Sequence, residues 1–174
     1  EIDIFTQRPH IDNIQMLMAH NMSSSTTIFK HMKNTRSDVM IWLGNHVNIE
    51  SPYSLQSIYT NYVNVRKNKH LNNFLSSLPQ IATWSNLDYG FTHQPNSKLI
   101  KDTIHTVFEL FWPNSLQKTF NYTFYDYGTY QRYNYNDVDV FLLDAKTFKS
   151  EDKSILYGDK QLDRLFQEIN NLGS

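Results

Sequence analysis

Two short apolar runs end abruptly in polar turns, and that pairing restricts the possible folds more than any other feature of the chain. Residues 38–43, Asp38-Val39-Met40-Ile41-Trp42-Leu43, stop at Gly44-Asn45-His46. Residues 80–84, Gln80-Ile81-Ala82-Thr83-Trp84, stop at Ser85-Asn86-Leu87-Asp88-Tyr89-Gly90. Apolar runs of this length, bounded by turn residues, read as strands buried on both faces. A third such run spans residues 14–19. It is followed by residues 26–33, where Ile28, Phe29 and Met32 fall on one side of a helix. Strand, helix, strand and polar turn predict a βαβ unit and hence an α/β fold with a parallel sheet. Ligands then belong at the carboxyl ends of the strands.

The rest of the chain keeps the same alternation. Residues 54–65 and 71–75 read as helices leading to Pro79 and the third strand. Residues 98–111 predict a longer helix, with Ile100, Ile104, Val107, Phe108 and Phe111 at i, i+4, i+7, i+8 and i+11, stopped by Trp112-Pro113-Asn114. Residues 120–135 are crowded with Phe and Tyr, and Gly128 near the middle suggests a hairpin or edge pair. Residues 138–143 form another apolar strand, closed by Asp144. Residues 159–169 predict a terminal amphipathic helix with Leu162, Leu165, Phe166 and Ile169 turned inward.

Composition removes several functions. The net charge of −1 offers no basic field for nucleic acid or an anionic membrane. Without Cys there is no disulfide, thiolate metal site or Cys nucleophile. No apolar run approaches the roughly 18 residues that a membrane-spanning helix requires. The seven His residues lack helical zinc spacing, and Ser23-Ser24-Ser25 sits in no Gly-x-Ser-x-Gly elbow. Arg66-Lys67-Asn68-Lys69 reads as a solvated helix end. Asn21 and Asn121 each begin an Asn-x-Ser/Thr acceptor pattern, which is common by chance. At 174 residues and 40% hydrophobic content, the chain is one domain or a large part of one.

The two turns have the frame of a dinuclear metal site, which needs oxygen and imidazole ligands delivered from the ends of adjacent strands. Here the chain resembles the PhoD-like alkaline phosphatase branch of the metallophosphoesterase superfamily. The likeness runs through Leu43-Gly44-Asn45-His46 and Thr83-Trp84-Ser85-Asn86-Leu87-Asp88-Tyr89-Gly90. It continues through Phe111-Trp112-Pro113-Asn114, the strand Val138-Asp139-Val140-Phe141-Leu142-Leu143-Asp144, and Tyr157-Gly158-Asp159-Lys160-Gln161-Leu162. The order and spacing of these blocks carry the resemblance, which covers roughly residues 38–169. It implies a metallophosphoesterase-like β-sandwich flanked by helices. No counterpart of the family's late Gly-Asp-x-His motif is found, so the resemblance implies that residues 1–174 hold only part of the domain.

The departures fall on the chemistry. The family's bridging Asp corresponds to Asn45, its paired Asp residues to Ser85 and Asn86, and its His to Leu87. A neutral amide cannot offset the charge of two cations. Leu can neither stabilise a transition state nor protonate a leaving group. The expected protein is therefore a non-catalytic relative that keeps the fold as a binding or structural module with other protein subunits as partners. The family's habit of export implies a periplasmic or cell-surface location. Asn86, Asn45, His46 and Asp88, with His20 after the first strand and His93, would be the remnant of the metal site. On the plainer reading they satisfy hydrogen bonds around a turn, and no cofactor is expected. The alternative is a phosphomonoesterase or phosphodiesterase with a rearranged site holding Fe, Ca, Zn or Mn, acting on a phosphate ester.

Overall fold

The predicted βαβ pattern folds as a three-stranded parallel sheet. A computed structural model describes residues 15–19, 26–51, 53–90, 98–113, 128–135, 138–150 and 154–172. Within them the chain runs β1 (Met16–Ala19), α1 (Thr26–Asn34), β2 (Val39–Trp42), α2 (Leu55–Arg66), α3 (Lys69–Leu75) and β3 (Gln80–Ala82). It continues with α4 (Asn86–Tyr89), α5 (Lys98–Phe111), β4 (Gln131–Tyr135), β5 (Val138–Leu142) and α6 (Asp159–Leu172). β2 is central, pairing Val39 with Met16 of β1 and Ile41 with Ile81 of β3.

Alternation along β2 divides the core in two. Met40 and Trp42, with Ala82, face the helices and pack among Phe29, Ile58, Tyr62, Leu71, Phe74, Ile104 and Phe108. Val39, Ile41 and Ile81 face the other way, against Leu142, Tyr133 and Val140 of the β4–β5 hairpin. The result is a mixed α/β architecture, with helices on one face of the parallel sheet and a small antiparallel sheet on the other. The helices are capped as their sequences suggest. Ser54 Oγ accepts from Ser57 N at 3.1 Å to start α2, and Asn68 Oδ1 accepts from His70 N at 2.9 Å to start α3.

The structure refines three of these expectations. The first is the strand at 138–143, which pairs antiparallel with β4, Tyr135 opposite Val138. A Cβ at Gly128 would come within 2.7 Å of the Phe148 ring, so glycine there permits a close approach. Residues 120–127 lie outside the described residues, and with them the hairpin or edge pair expected around Gly128.

The second change concerns Arg66, which is not a solvated end. Its Nη2 donates to the Phe111 carbonyl at 2.9 Å, and its guanidinium lies 4.5 Å from the Trp112 ring centre. A cation at the last turn of α5 is favoured by the helix dipole. Burial brings the Arg66 pKa down to about 10, although the charge of Tyr62 pulls the other way.

The third change is the orientation of α6. Gln161 is fully buried and Glu168 nearly so, whereas Phe166 is 58% exposed and Ile169 45%. Gln161 explains the inversion. Its Oε1 accepts from Asp144 N at 2.7 Å, and its Nε2 donates to Asp144 O at 2.9 Å and Tyr157 O at 2.8 Å. Arg164 Nε donates to Glu168 Oε1 at 2.7 Å, and its guanidinium sits 5.2 Å over the Tyr130 ring. Paired polar groups dock the helix, with Leu162 and Leu165 half-buried beside them and Phe166, Ile169 and Leu172 left outside.

Candidate functional site

The two turns predicted to carry chemistry meet at the carboxyl ends of β2 and β3. Gly44 has φ +101°, and a Cβ there would lie 2.3 Å from Ser85 Cβ and 2.6 Å from Ser85 N. Only glycine permits this contact. Asn45 follows at φ 58°, a left-handed conformation that Asn tolerates better than most residues. The turns therefore abut.

Asp88 ties them together. It is completely buried, and four backbone N–H groups converge on its carboxylate. Oδ2 accepts from Asn45 N at 2.6 Å and Ser85 N at 2.9 Å. Oδ1 accepts from His46 N at 2.7 Å and Val47 N at 3.1 Å. His46 Nδ1 stands 3.2 Å from the same Oδ1, without the alignment of a hydrogen bond. Burial alone would raise the pKa of Asp88. The neighbouring His46 and the backbone donors outweigh it, and the carboxyl is held below the ordinary carboxylate value.

Asn45 works the same way on a smaller scale. Its Oδ1 accepts from Ser85 Oγ and, at 3.3 Å, from Leu87 N, while Leu87 O accepts from Ile49 N at 2.9 Å. His46 faces inward. Its ring is 4.8 Å from that of Trp112, 6.0 Å from Phe108 and 6.2 Å from Trp42. Asn86, at the start of α4, is exposed, and Leu87 is half-buried. The structure thus brings Asn45, His46, Ser85, Leu87 and Asp88 together, with Asn86 on the outer surface. His20 and His93 lie outside the described residues. Among the described residues, no three His, Cys, Asp or Glu side chains are grouped to hold a metal ion.

A second carboxylate, which the sequence marked only as a strand end, organises the next layer. Asp144 is fully buried at the end of β5. Its Oδ2 accepts from Trp84 Nε1 at 2.7 Å, Thr129 N at 2.8 Å and Thr147 Oγ1 at 2.6 Å. Its Oδ1 accepts from Lys146 N at 2.8 Å and Thr147 N at 2.9 Å. The signal for this was present: an Asp followed within three residues by Thr is turn chemistry, with the side chain bonding its own downstream backbone. Asp144 so joins β3, the hairpin and α6. The Lys146 ammonium lies 5.7 Å over the Tyr89 ring. Its pKa is lowered by burial and then by Lys149, against the pull of Asp144. Burial, followed by the charge of Asp144, raises the pKa of the Tyr89 hydroxyl.

With this geometry described, the fold can be compared with known proteins. A solved structure described as "Structure of PhoD" superposes with a TM-score of 0.73 at 16% sequence identity. The match covers 88% of this chain and 38% of that one, so the chain spans well under half the length of its structural neighbour. No protein-family model and no curated protein matches the sequence. The likeness establishes a PhoD-like fold. No helix among the described residues is long and apolar enough to cross a membrane.

Proposed function

We propose that this chain retains the PhoD-like fold as a non-catalytic binding or structural module, a subunit of a larger protein assembly at the cell envelope. The observation that carries the reading is the commitment of the strand-end donors to the protein itself. The Asp88 carboxylate is filled by four backbone N–H groups, and Asn45 Oδ1 by Ser85 and Leu87. A bridging ligand for two cations must present unshared oxygen lone pairs toward a common point. Neither side chain does so, and Gly44 lies directly against Ser85. Among the described residues, the strand-end side chains do not fit a two-metal centre.

The outer face of α6 supplies the second support. Phe166, Ile169 and Leu172 are exposed there, flanked by the exposed Asp159 and Asp163. An apolar stripe of this kind suits a protein partner. The acidic flank argues against an anionic membrane as its cover. On this reading the chain contributes part of a domain or assembly whose remainder lies elsewhere.

The test is metal content after exhaustive dialysis, together with hydrolysis of phosphate monoesters and diesters. The expected result is no retained metal and no turnover above buffer. About two equivalents of Fe, Ca, Zn or Mn, with turnover abolished by Asn86→Ala, would establish the enzyme instead.

A further inference from the structure

α5 carries a line of side chains that the core does not use. Leu99 is 74% exposed and Leu110 64%, with Thr103 half-buried and Thr106 exposed between them. The spacing of four, three and four residues is that of a heptad seam, and it sets all four along one side of the helix. Both threonine hydroxyls are bonded within the helix: Thr103 Oγ1 donates to Leu99 O and Thr106 Oγ1 to Asp102 O, each at 2.8 Å. Their methyl groups therefore extend the apolar line. Lys101, Asp102, His105 and Glu109 fall on another flank, so the seam itself is uncharged. The apolar surface continues past Leu110, because the adjoining Phe111 ring lies 5.4 Å from that of the exposed Tyr59 on α2.

The seam reads the same in both directions, Leu-Thr-Thr-Leu at symmetric spacing. A two-fold dimer sets one surface against itself, and a palindrome meets that requirement. We infer that α5 is a self-association surface, on which a second copy of this chain packs antiparallel along Leu99, Thr103, Thr106 and Leu110. Leu99 then meets the partner's Leu110, and Thr103 meets the partner's Thr106. The small central pair lets the helices approach, and the leucines close the ends. Charge fixes the direction. The backbone dipole of α5 is positive at its start and negative at its end. Residues 98–103 hold two Lys and one Asp, and residues 104–111 a single Glu, so the side chains add to the same polarity. Antiparallel pairing sets each positive end beside a negative one, whereas parallel pairing sets like beside like. One helix pair buries less than a standard interface, so the dimer is weak, with a dissociation constant on the order of tens of micromolar. The contact is independent of whether the strand-end turns are catalytic.

Sedimentation equilibrium of the full-length protein, from micromolar to millimolar concentration, should show a monomer–dimer equilibrium. Thr106→Lys puts a charge into the seam at an exposed position. It should raise the dissociation constant at least about tenfold, with the fold of the monomer intact by circular dichroism. Cross-linking reads the geometry, since the chain has no Cys of its own. A mixture of Thr103→Cys and Thr106→Cys proteins should form disulfide dimers at least about tenfold faster than either variant alone. A monomer at every concentration, as when a different protein or a further segment covers α5, would overturn the inference. So would a Thr106→Lys variant that dimerises like the wild type. Cysteine variants that each link to themselves as fast as the mixture links would overturn the antiparallel pairing.

Discussion

The paired turns and the terminal helix solve opposite problems with the same tool. At the strand ends, Asp88 and Asn45 direct their polar atoms inward, and backbone donors occupy them. Around them the apolar rings of Trp42, Phe108 and Trp112 close the core. On α6, Gln161 and Glu168 also turn polar atoms inward, but here Phe166, Ile169 and Leu172 are left facing solvent. A satisfied polar group is neutral ground for burial, whichever element carries it. What separates the two regions is whether the apolar surface has found its cover. The turns are a finished interior, and α6 is a finished dock on one side and an unfinished surface on the other.

The contrast breaks most severely at Asp88. Asp88→Asn replaces one acceptor oxygen with an amide that meets backbone N–H groups head-on, and should cost about 4 kcal/mol, read as a fall in the urea midpoint. The same residue sets an acid limb. Its folded pKa lies below its unfolded value of about 3.9. The unfolded chain therefore binds the proton more tightly, and stability contributed by the carboxylate is fully present above that pH. It is lost as the pH falls through the folded pKa. Carboxyl carbon shifts should show Asp88 titrating below the exposed carboxylates; titration at or above their range would remove the charge from the account.

Gly44→Ala attacks the same region through shape alone. The added methyl would meet Ser85 backbone and side chain at a φ that Ala avoids. The expected loss is about 3 kcal/mol, with the turns forced apart. A loss under 1 kcal/mol would mean that the turns are not in contact in solution. On the other side of the comparison, Gln161→Leu removes three hydrogen bonds and leaves Asp144 N, Asp144 O and Tyr157 O bare. It should cost about 2 kcal/mol, although Leu is the more apolar residue. A stabilised variant would show that α6 can be docked by apolar contact after all.

Local periodicity made much of this fold legible. The run 38–43 became β2, and the i, i+4, i+7 spacing gave α5 its full length and its inward residues Ile104, Val107 and Phe108. The strand-end turns were legible because a Gly and a polar cluster followed each apolar run. The misread features depend on partners far along the chain. Arg66 is placed by a carbonyl 45 residues away, and Gln161 by the backbone of a residue 17 away. A hydrophobicity count puts Phe166 and Ile169 on the inner face with Leu162 and Leu165, because it cannot see that Asp144 offers Gln161 a better fit. At the site, the sequence pattern singled out the two turns that the structure brings into contact. It could not show that Asp88 faces its own backbone and not the outside.

The smallest expected effect is also the sharpest test of the comparison. Phe166→Ser removes an aromatic ring from a surface where it is 58% exposed. For a truly uncovered residue the change in stability should stay within about 0.5 kcal/mol, and the sedimentation coefficient should not move. Ile169→Ser should behave alike, and the pair should be additive. A loss well above 1 kcal/mol, or a concentration-dependent melting temperature abolished by the substitution, would show that copies of this chain already cover one another's α6. In that event the apolar stripe is as finished as the turns, closed between molecules where the turns are closed within one.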